Sequence, residues 1–288
     1  MFNFKQPNFS RRVETVRNMG DVIDAKVKQV FDKRLREKDF VGRPYSEGDV
    51  KADLAFVAER REEHRRNETP EKAEMKRLAD MFEALVLWNA QMAEWFGSKA
   101  ITIKTAEYDD YKNGVDMVVE FREDRSALYL GLAADVTFTS DRTVIVKKFA
   151  LLREEIKQGS LAQVKYFRSE HTHIDGQLSK LPEVIIGVSK GMVLELARLW
   201  AEGRNQELAN HRIGIMILRQ MEAQLETFAR YAESVGQKEA AQIYFDRLSL
   251  IQGILAEKAE LVAKVESTPN TDPVHEEIMG FIKNWNRY

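Results

Sequence analysis

Apolar residues recur at helical spacing from about residue 10 to 96, and two turn-rich stretches, Gly42 to Asp49 and Asn67 to Pro70, interrupt them. Thr69-Pro70 with Glu71 and Glu74 behind it supplies a capping oxygen, a proline suited to the first turn and early acidic residues, which reads as a helix start. In the helix that follows, Met75, Leu78, Phe82, Leu85, Met92 and Phe96 fall on one face, and Gly97 reads as its stop. The period changes at Ala100. Ile101 to Tyr108, Val115 to Phe121 and Ala127 to Thr139 are β-rich, and the polar link Arg122 to Ser126 reads as a hairpin turn. A helix is expected from about Arg142 to Gln158, with Ile145, Phe149, Leu152 and Ile156 as its apolar stripe. Two further strands, Leu161 to Phe167 and Glu183 to Ser189, precede a helix running through Leu199.

Beyond Gly203 the pattern is helical to the end. Two amphipathic segments, about Gln206 to Ser234 and Gln237 to Val265, meet at Val235-Gly236, the mark of an antiparallel helical hairpin, and a short helix follows from Pro273. The stretch Phe228 to Leu248 has the look of one tetratricopeptide unit, but solenoids need about three repeats, so it reads as a generic hairpin. Ile213, Ile217, Met221 and Leu225 face Ile243, Leu248, Ile251, Leu255 and Val262, and a lone hairpin cannot bury both stripes. It should pack on the preceding α/β unit or on a second copy, which makes a homodimer through these helices an expectation. The organisation is thus an N-terminal helical region (1–97), its last helix packing on the core, an α/β core (98–203) and a C-terminal helical hairpin with a terminal helix (204–288). The fold class is α+β, a small mixed sheet over residues 100–190 flanked by helices.

Composition narrows the chemistry. The 288 residues, 44% of them hydrophobic, suffice for a substantial core, and the absence of cysteine removes disulfides, thiolate zinc sites and cysteine nucleophiles. No stretch approaches the ~18 uncharged apolar residues of a membrane span, and Met1 to Arg12 lacks a signal-peptide apolar core, so no membrane and a cytoplasmic location are expected. A net charge of −2 with 31% charged residues means that any polyanion site must be local.

Candidate chemistry sits in the β-rich third. Alternation places Asp116, Val118 and Glu120 on one strand face, and Tyr129, Gly131, Ala133, Asp135 and Thr137 on one face of the next. A turn between Asp124 and Arg125 sets Asp116 opposite Ala133 and diagonal to Asp135, roughly 7–8 Å apart at Cα. Two carboxylates so placed repel unless a cation or proton intervenes, and a hard divalent ion, Mg²⁺ or Mn²⁺, suits them. The alternative account is that the aspartates end their strands at solvent or pair with Lys or Arg.

Asn113 to Phe121 followed by Leu128 to Phe138, within a helix, three strands, helix and strand order, resembles the PD-(D/E)XK nuclease superfamily over residues 75–200. The resemblance implies a metal-dependent phosphodiesterase acting on DNA or RNA. Asp116 and Asp135 match its two acids and would hold Mg²⁺ with the carbonyl of Val136. Its lysine position is Thr137, a departure that bears on activity. Lys148, with Lys147 beside it, and Lys165 are the substitutes to weigh, and Glu83 is the best match for the family's helical glutamate. The alternative function is an inactive nuclease-like fold serving as a nucleic-acid-binding or protein-interaction module.

Other constellations have simpler readings. His171, His173 and Asp175 are ligand types, but they lie where a polar loop beside Gly176 is expected. Glu107 to Tyr111 reads as a solvated turn or as the mouth of the site. The basic runs around Lys33 to Lys38, Arg60-Arg61 and Arg65-Arg66 alternate with acids, as on a salt-bridged helix surface. No Gly-rich phosphate loop, HExxH or GxSxG pattern is present.

Overall fold

A computed structural model of the chain describes residues 9–123, 126–137, 142–269 and 272–287; of these, 9–18, 133–137, 142–144 and 286 are described by their backbone alone. The N-terminal helices are α1 (Phe9–Phe31), α2 (Glu47–Arg66) and α3 (Pro70–Met92). Thr69 caps α3 as expected, its hydroxyl accepting the Lys72 N–H at 3.3 Å. The helix stops at Met92 rather than running on to Phe96: Glu94 and Gly97 adopt positive φ, and the chain folds back so that Trp95 and Phe96 are buried while Met92 is exposed.

The strands β1 (Ala100–Lys104), β2 (Met117–Arg122), β3 (Ala127–Thr137) and β6 (Glu183–Ser189) form one sheet in the order β1-β2-β3-β6. The first three run antiparallel and β6 is parallel to β3. The hairpin register is the expected one, with Val118 opposite Gly131 and Arg122 opposite Ala127. Two expectations fail. The sheet does not take in every strand between 100 and 190, because β4 (Ala162–Ser169) and β5 (Ile174–Leu181) pair as a separate antiparallel hairpin. β5 was not predicted: Ile174 to Leu181 alternates, but its exposed positions are polar and Gly176 interrupts it, so only the packing of Leu178 and Leu181 on Val118, Tyr129 and Phe167 makes it a strand. Likewise the β-rich run from Ile101 ends at Lys104, and Glu107 to Asn113 is the helix α4, closed by Gly114 at φ 72°.

Helix α5 (Arg142–Gln158) has the expected bounds and buries Ile145, Phe149, Leu152 and Ile156. α6 (Lys190–Ala201) leads to α7 (Asn205–Ala209), α8 (Arg212–Ser234), α9 (Lys238–Glu257), α10 (Ala259–Glu266) and α11 (Pro273–Lys283). The first helix of the expected hairpin is broken at Asn210, where His211 caps α8 by accepting the Ile213 N–H, and the second is broken at Lys258. Its corner at Val235-Gly236 is as read, with Gly236 at φ 82°.

The hairpin docks on the core. Gln220 and Gln224, one turn apart on α8, lie along the outer edge of β6: the Gln224 amide accepts from Ile185 N–H at 2.8 Å and donates to its carbonyl at 2.6 Å, and Gln220 treats Gly187 likewise at 2.9 and 2.8 Å. Asp272 continues the row by accepting from Ser189 N–H at 3.0 Å. Side chains thereby seal an edge that would otherwise invite strand addition. One continuous apolar cluster runs from Ile23 through α3, the sheet and α5 to Trp285, drawing on all three regions of the chain. Among the described residues, no helix is long and apolar enough to cross a membrane.

Candidate functional site

Lys104 ends β1, Asp116 immediately precedes β2, and Asp135 lies near the end of β3 beside Gly187 of the parallel strand β6. All three therefore gather at the same end of the sheet, the carboxyl end of the parallel pair, where open α/β sheets place their ligands. The path to Asp116 is held tightly. α4 ends at the left-handed Gly114, the Thr105 hydroxyl donates to the carbonyls of Val115 at 2.7 Å and Asp116 at 3.0 Å, and Asp116 N–H donates to Leu132 at 3.1 Å. Continuing the β2–β3 register by one residue puts Asp116 opposite Ala133 and diagonal to Asp135.

Around Asp116 the fold assembles charges from four elements. Lys104 Nζ, 2% exposed, pairs with Glu83 of α3 at 2.5 Å and with Asp110 of α4 at 3.3 Å. Arg34 reaches Asp110 at 3.5 Å and Glu107 at 2.7 Å. Asp116 feels burial first, then the negative charge of Glu83, and these push its carboxyl well above the usual carboxylate range against the opposing pull of Lys104 and Lys148. Burial also raises Glu83, with Lys104 opposing. For Lys104 burial disfavours the charge, yet Glu83, Asp110 and Asp116 outweigh it and hold the ammonium above its ordinary pKa. Lys104 is thus the resident cation of a site with too many carboxylates for one lysine.

The residues expected from the sequence divide here. Glu83, Asp116 and Lys148 are brought into electrostatic reach of one another, Lys148 being half-buried on α5 while Lys147 beside it is exposed. The backbones of Asp135 and Val136 are in place in β3; their side chains lie outside the described residues. Lys165 belongs elsewhere. On β4 it pairs with Asp53 at 2.5 Å and lies over the rings of Tyr45, Tyr108 and Tyr166, 4.9 to 5.4 Å from their centres. Simple alternation would put Gln163, Lys165 and Phe167 on one face, but β4 is irregular between Val164 and Phe167, so Phe167 is buried with Val164 while Lys165 stays half-exposed, and the strand is not part of the main sheet. His171 and His173 occupy the β4–β5 turn, where His171 Nε2 meets the carbonyls of Glu123 and Ser126 at 2.7 and 3.0 Å, and Asp175 pairs with Arg168.

Lys104 and Asp110 were missed. Lys104 had a signal: Ala100, Thr102 and Lys104 share the inward phase of β1, and a lysine there requires a buried partner. Asp110 lay within the acidic run Glu107 to Tyr111 that could line the mouth of the site, but α4 is too short to show a period that would single it out. Its neighbour Asp109, fully buried, is structural: it accepts the N–H groups of Lys165 at 2.7 Å and Tyr166 at 2.9 Å at the irregular centre of β4.

Carboxylate oxygens are the donors that hard divalent cations take, and the strand register makes the backbones of Asp116 and Asp135 diagonal neighbours. Glu83 is engaged with Lys104 through Oε2. Among the described residues no three His, Cys, Asp or Glu side chains form a metal-binding group by themselves. Compared with protein families, curated proteins and solved structures, the chain matches none.

Proposed function

We propose that the chain is a metal-dependent phosphodiesterase of the PD-(D/E)XK type, acting on DNA or RNA. The observation that carries this reading is the convergence of Glu83, Lys104 and Asp116 at the end of adjacent antiparallel strands whose register sets Asp135 beside Asp116. The order α3, β1, β2, β3, α5, β6 also follows the resemblance, with the β4–β5 hairpin as an insertion. Asp116, Asp135 and the Val136 carbonyl would hold Mg²⁺ or Mn²⁺, whose chemistry is to acidify a water and to offset charge on the phosphate. Lys104 supplies the ammonium that Thr137 does not, stabilising charge near the phosphate, and Glu83 holds that ammonium in place. Lys148 adds a second cation on the α5 side.

The second reading, an inactive nuclease-like module binding nucleic acid or protein, draws on one observation: Lys104 neutralises Glu83 and Asp110 from within, as a cation would. One experiment separates the two. Mg²⁺- and Mn²⁺-dependent cleavage of single- and double-stranded DNA and RNA is measured for wild type, Asp116→Asn, Asp135→Asn and Lys104→Met, with Mn²⁺ binding and melting in parallel. Cleavage and Mn²⁺ binding that both disappear in the folded Asp variants support the enzyme; no Mn²⁺ binding in the wild type leaves the inactive module.

A further inference from the structure

A cleft of about 620 Å³ opens where the last turns of α2 meet the first turns of α3, beside Tyr111 of α4. Arg61, Arg65, Lys72 and Lys76 line it against the carboxylates of Glu63 and Glu68. Lys72 Nζ donates to the Asn67 carbonyl at 3.0 Å and, among the described residues, pairs with no carboxylate. The His64 ring meets the Tyr111 ring edge-on at 5.3 Å between centres, so an exposed imidazole and a half-buried phenol stand at the mouth.

The cleft ends at Lys76 and Tyr111, each of which adjoins a residue of the carboxylate site. Lys72, Lys76, Asp80 and Glu83 follow one another at spacings of four, four and three along one face of α3. Lys76 and Glu83 are roughly 10 Å apart along that helix, and Lys76 lies within electrostatic reach of both Glu83 and Tyr111. Tyr111 directly follows Asp110, which pairs with Lys104. A row of charged side chains on α3 therefore links the cations and aromatic rings at the α2–α3 corner to the carboxylates at the sheet end.

We infer that this cleft binds a single-stranded nucleic acid segment and leads its backbone to the Asp116 site. The assignment rests on the phosphodiesterase reading for what happens at the far end, but not for binding itself. Lys72 takes a phosphate directly, Arg65 and Lys76 do so by exchanging their carboxylate partners Glu62 and Asp80 for it, and Tyr111 with His64 supplies the stacking surface for a base. Its volume is that of a small-ligand site, enough for a nucleotide or two and too small to enclose a duplex.

The test uses the full-length Asp116→Asn protein without divalent ions, so that binding is read without cleavage. Fluorescence anisotropy follows a labelled single-stranded oligonucleotide, with the matching duplex as competitor. Arg65→Glu combined with Lys72→Glu should weaken binding at least ~10-fold and flatten its dependence on salt, and Tyr111→Leu should remove the preference for single strands. Both cationic residues are exposed; glutamate suits Lys72 in the first turn of α3 but at Arg65 opposes the C-terminal end of α2 and loses the Glu62 pair, so melting should fall slightly while the fold is kept, as circular dichroism would show. Arg230→Glu, an exposed cation on the distant hairpin, should bind like its parent. Unchanged affinity in the double variant, or an equal loss from Arg230→Glu, overturns the assignment. A wild type that cleaves nothing while the double variant loses binding removes the catalytic reading and leaves the cleft.

Discussion

At the scale of single residues, Asp116, Lys104 and Glu183 each carry a distinct expectation. If Asp116 and Asp135 hold a catalytic ion, Asn at either position keeps the size and removes the charge, so activity should fall by orders of magnitude. Because burial and Glu83 already penalise the Asp116 charge, metal-free Asp116→Asn should melt no lower than wild type at neutral pH. A sharp drop in melting temperature would instead make Asp116 a structural residue. Lys104→Met has the opposite sign: it strands Glu83 without its cation and should cost roughly 3–5 kcal/mol, most of it recovered when Glu83→Gln is added. Denaturant unfolding of the four-protein cycle measures that coupling, and additive effects would show that the pair is not energetically linked. Glu183, at the start of β6, is pushed up to about 8 by burial and then by Glu155. A raised carboxyl binds its proton more tightly in the folded state, so it destabilises as pH rises from the ordinary carboxylate range through about 8. Glu183→Gln should therefore match wild type near pH 4 and exceed it by a few kcal/mol above pH 8, read from unfolding curves across that range.

At the scale of elements, the edge of β6 is the most revealing. A parallel strand at a sheet margin has an unpaired row of N–H and C=O groups, and α8 answers it with glutamines one helical turn apart. Gln224→Leu should leave the Ile185 N–H and carbonyl unpaired, costing about 1–3 kcal/mol and accelerating hydrogen exchange at the Ile185 amide. Protection unchanged at Ile185 would mean that water or a shifted α8 satisfies the edge. His275 of α11 adds a pH dependence to the same seam, since its Nδ1 lies 3.1 Å from Gln220 Nε2, which makes it the acceptor of a ring kept neutral. Burial lowers the His275 pKa, so the folded state resists a proton that the unfolded chain accepts, and stability should fall as pH drops below about 6.5. His275→Gln would lessen that loss.

At the scale of the whole molecule, the apolar cluster running from Ile23 to Trp285 makes the three regions of the chain depend on one another. Calorimetry of the intact protein should accordingly show one cooperative transition, and a fragment ending at Gly203 should fail to fold, because β6 would lose the partners of Ile185, Gly187 and Ser189 and the cover provided by α8 and α11. Two resolved transitions would show that the C-terminal helices form a cooperative unit of their own.

The sequence by itself determined the elements whose residues signal locally: Thr69-Pro70 starting α3, the stripe of α5, the antiparallel β2–β3 hairpin with its register, and the corner at Gly236. These depend on caps, period and turn chemistry, which act within a few residues. It also marked Asp116, because a carboxylate on an apolar face stands out in one dimension; Glu83 was suggested only by the resemblance. Only the tertiary structure decided that β4 and β5 leave the main sheet, that Lys165 serves an aromatic enclosure, and that Lys104 joins Glu83 and Asp110. Each of those depends on contacts between residues far apart in the chain, and the charge of a buried lysine carries no local sign of which distant carboxylate will balance it.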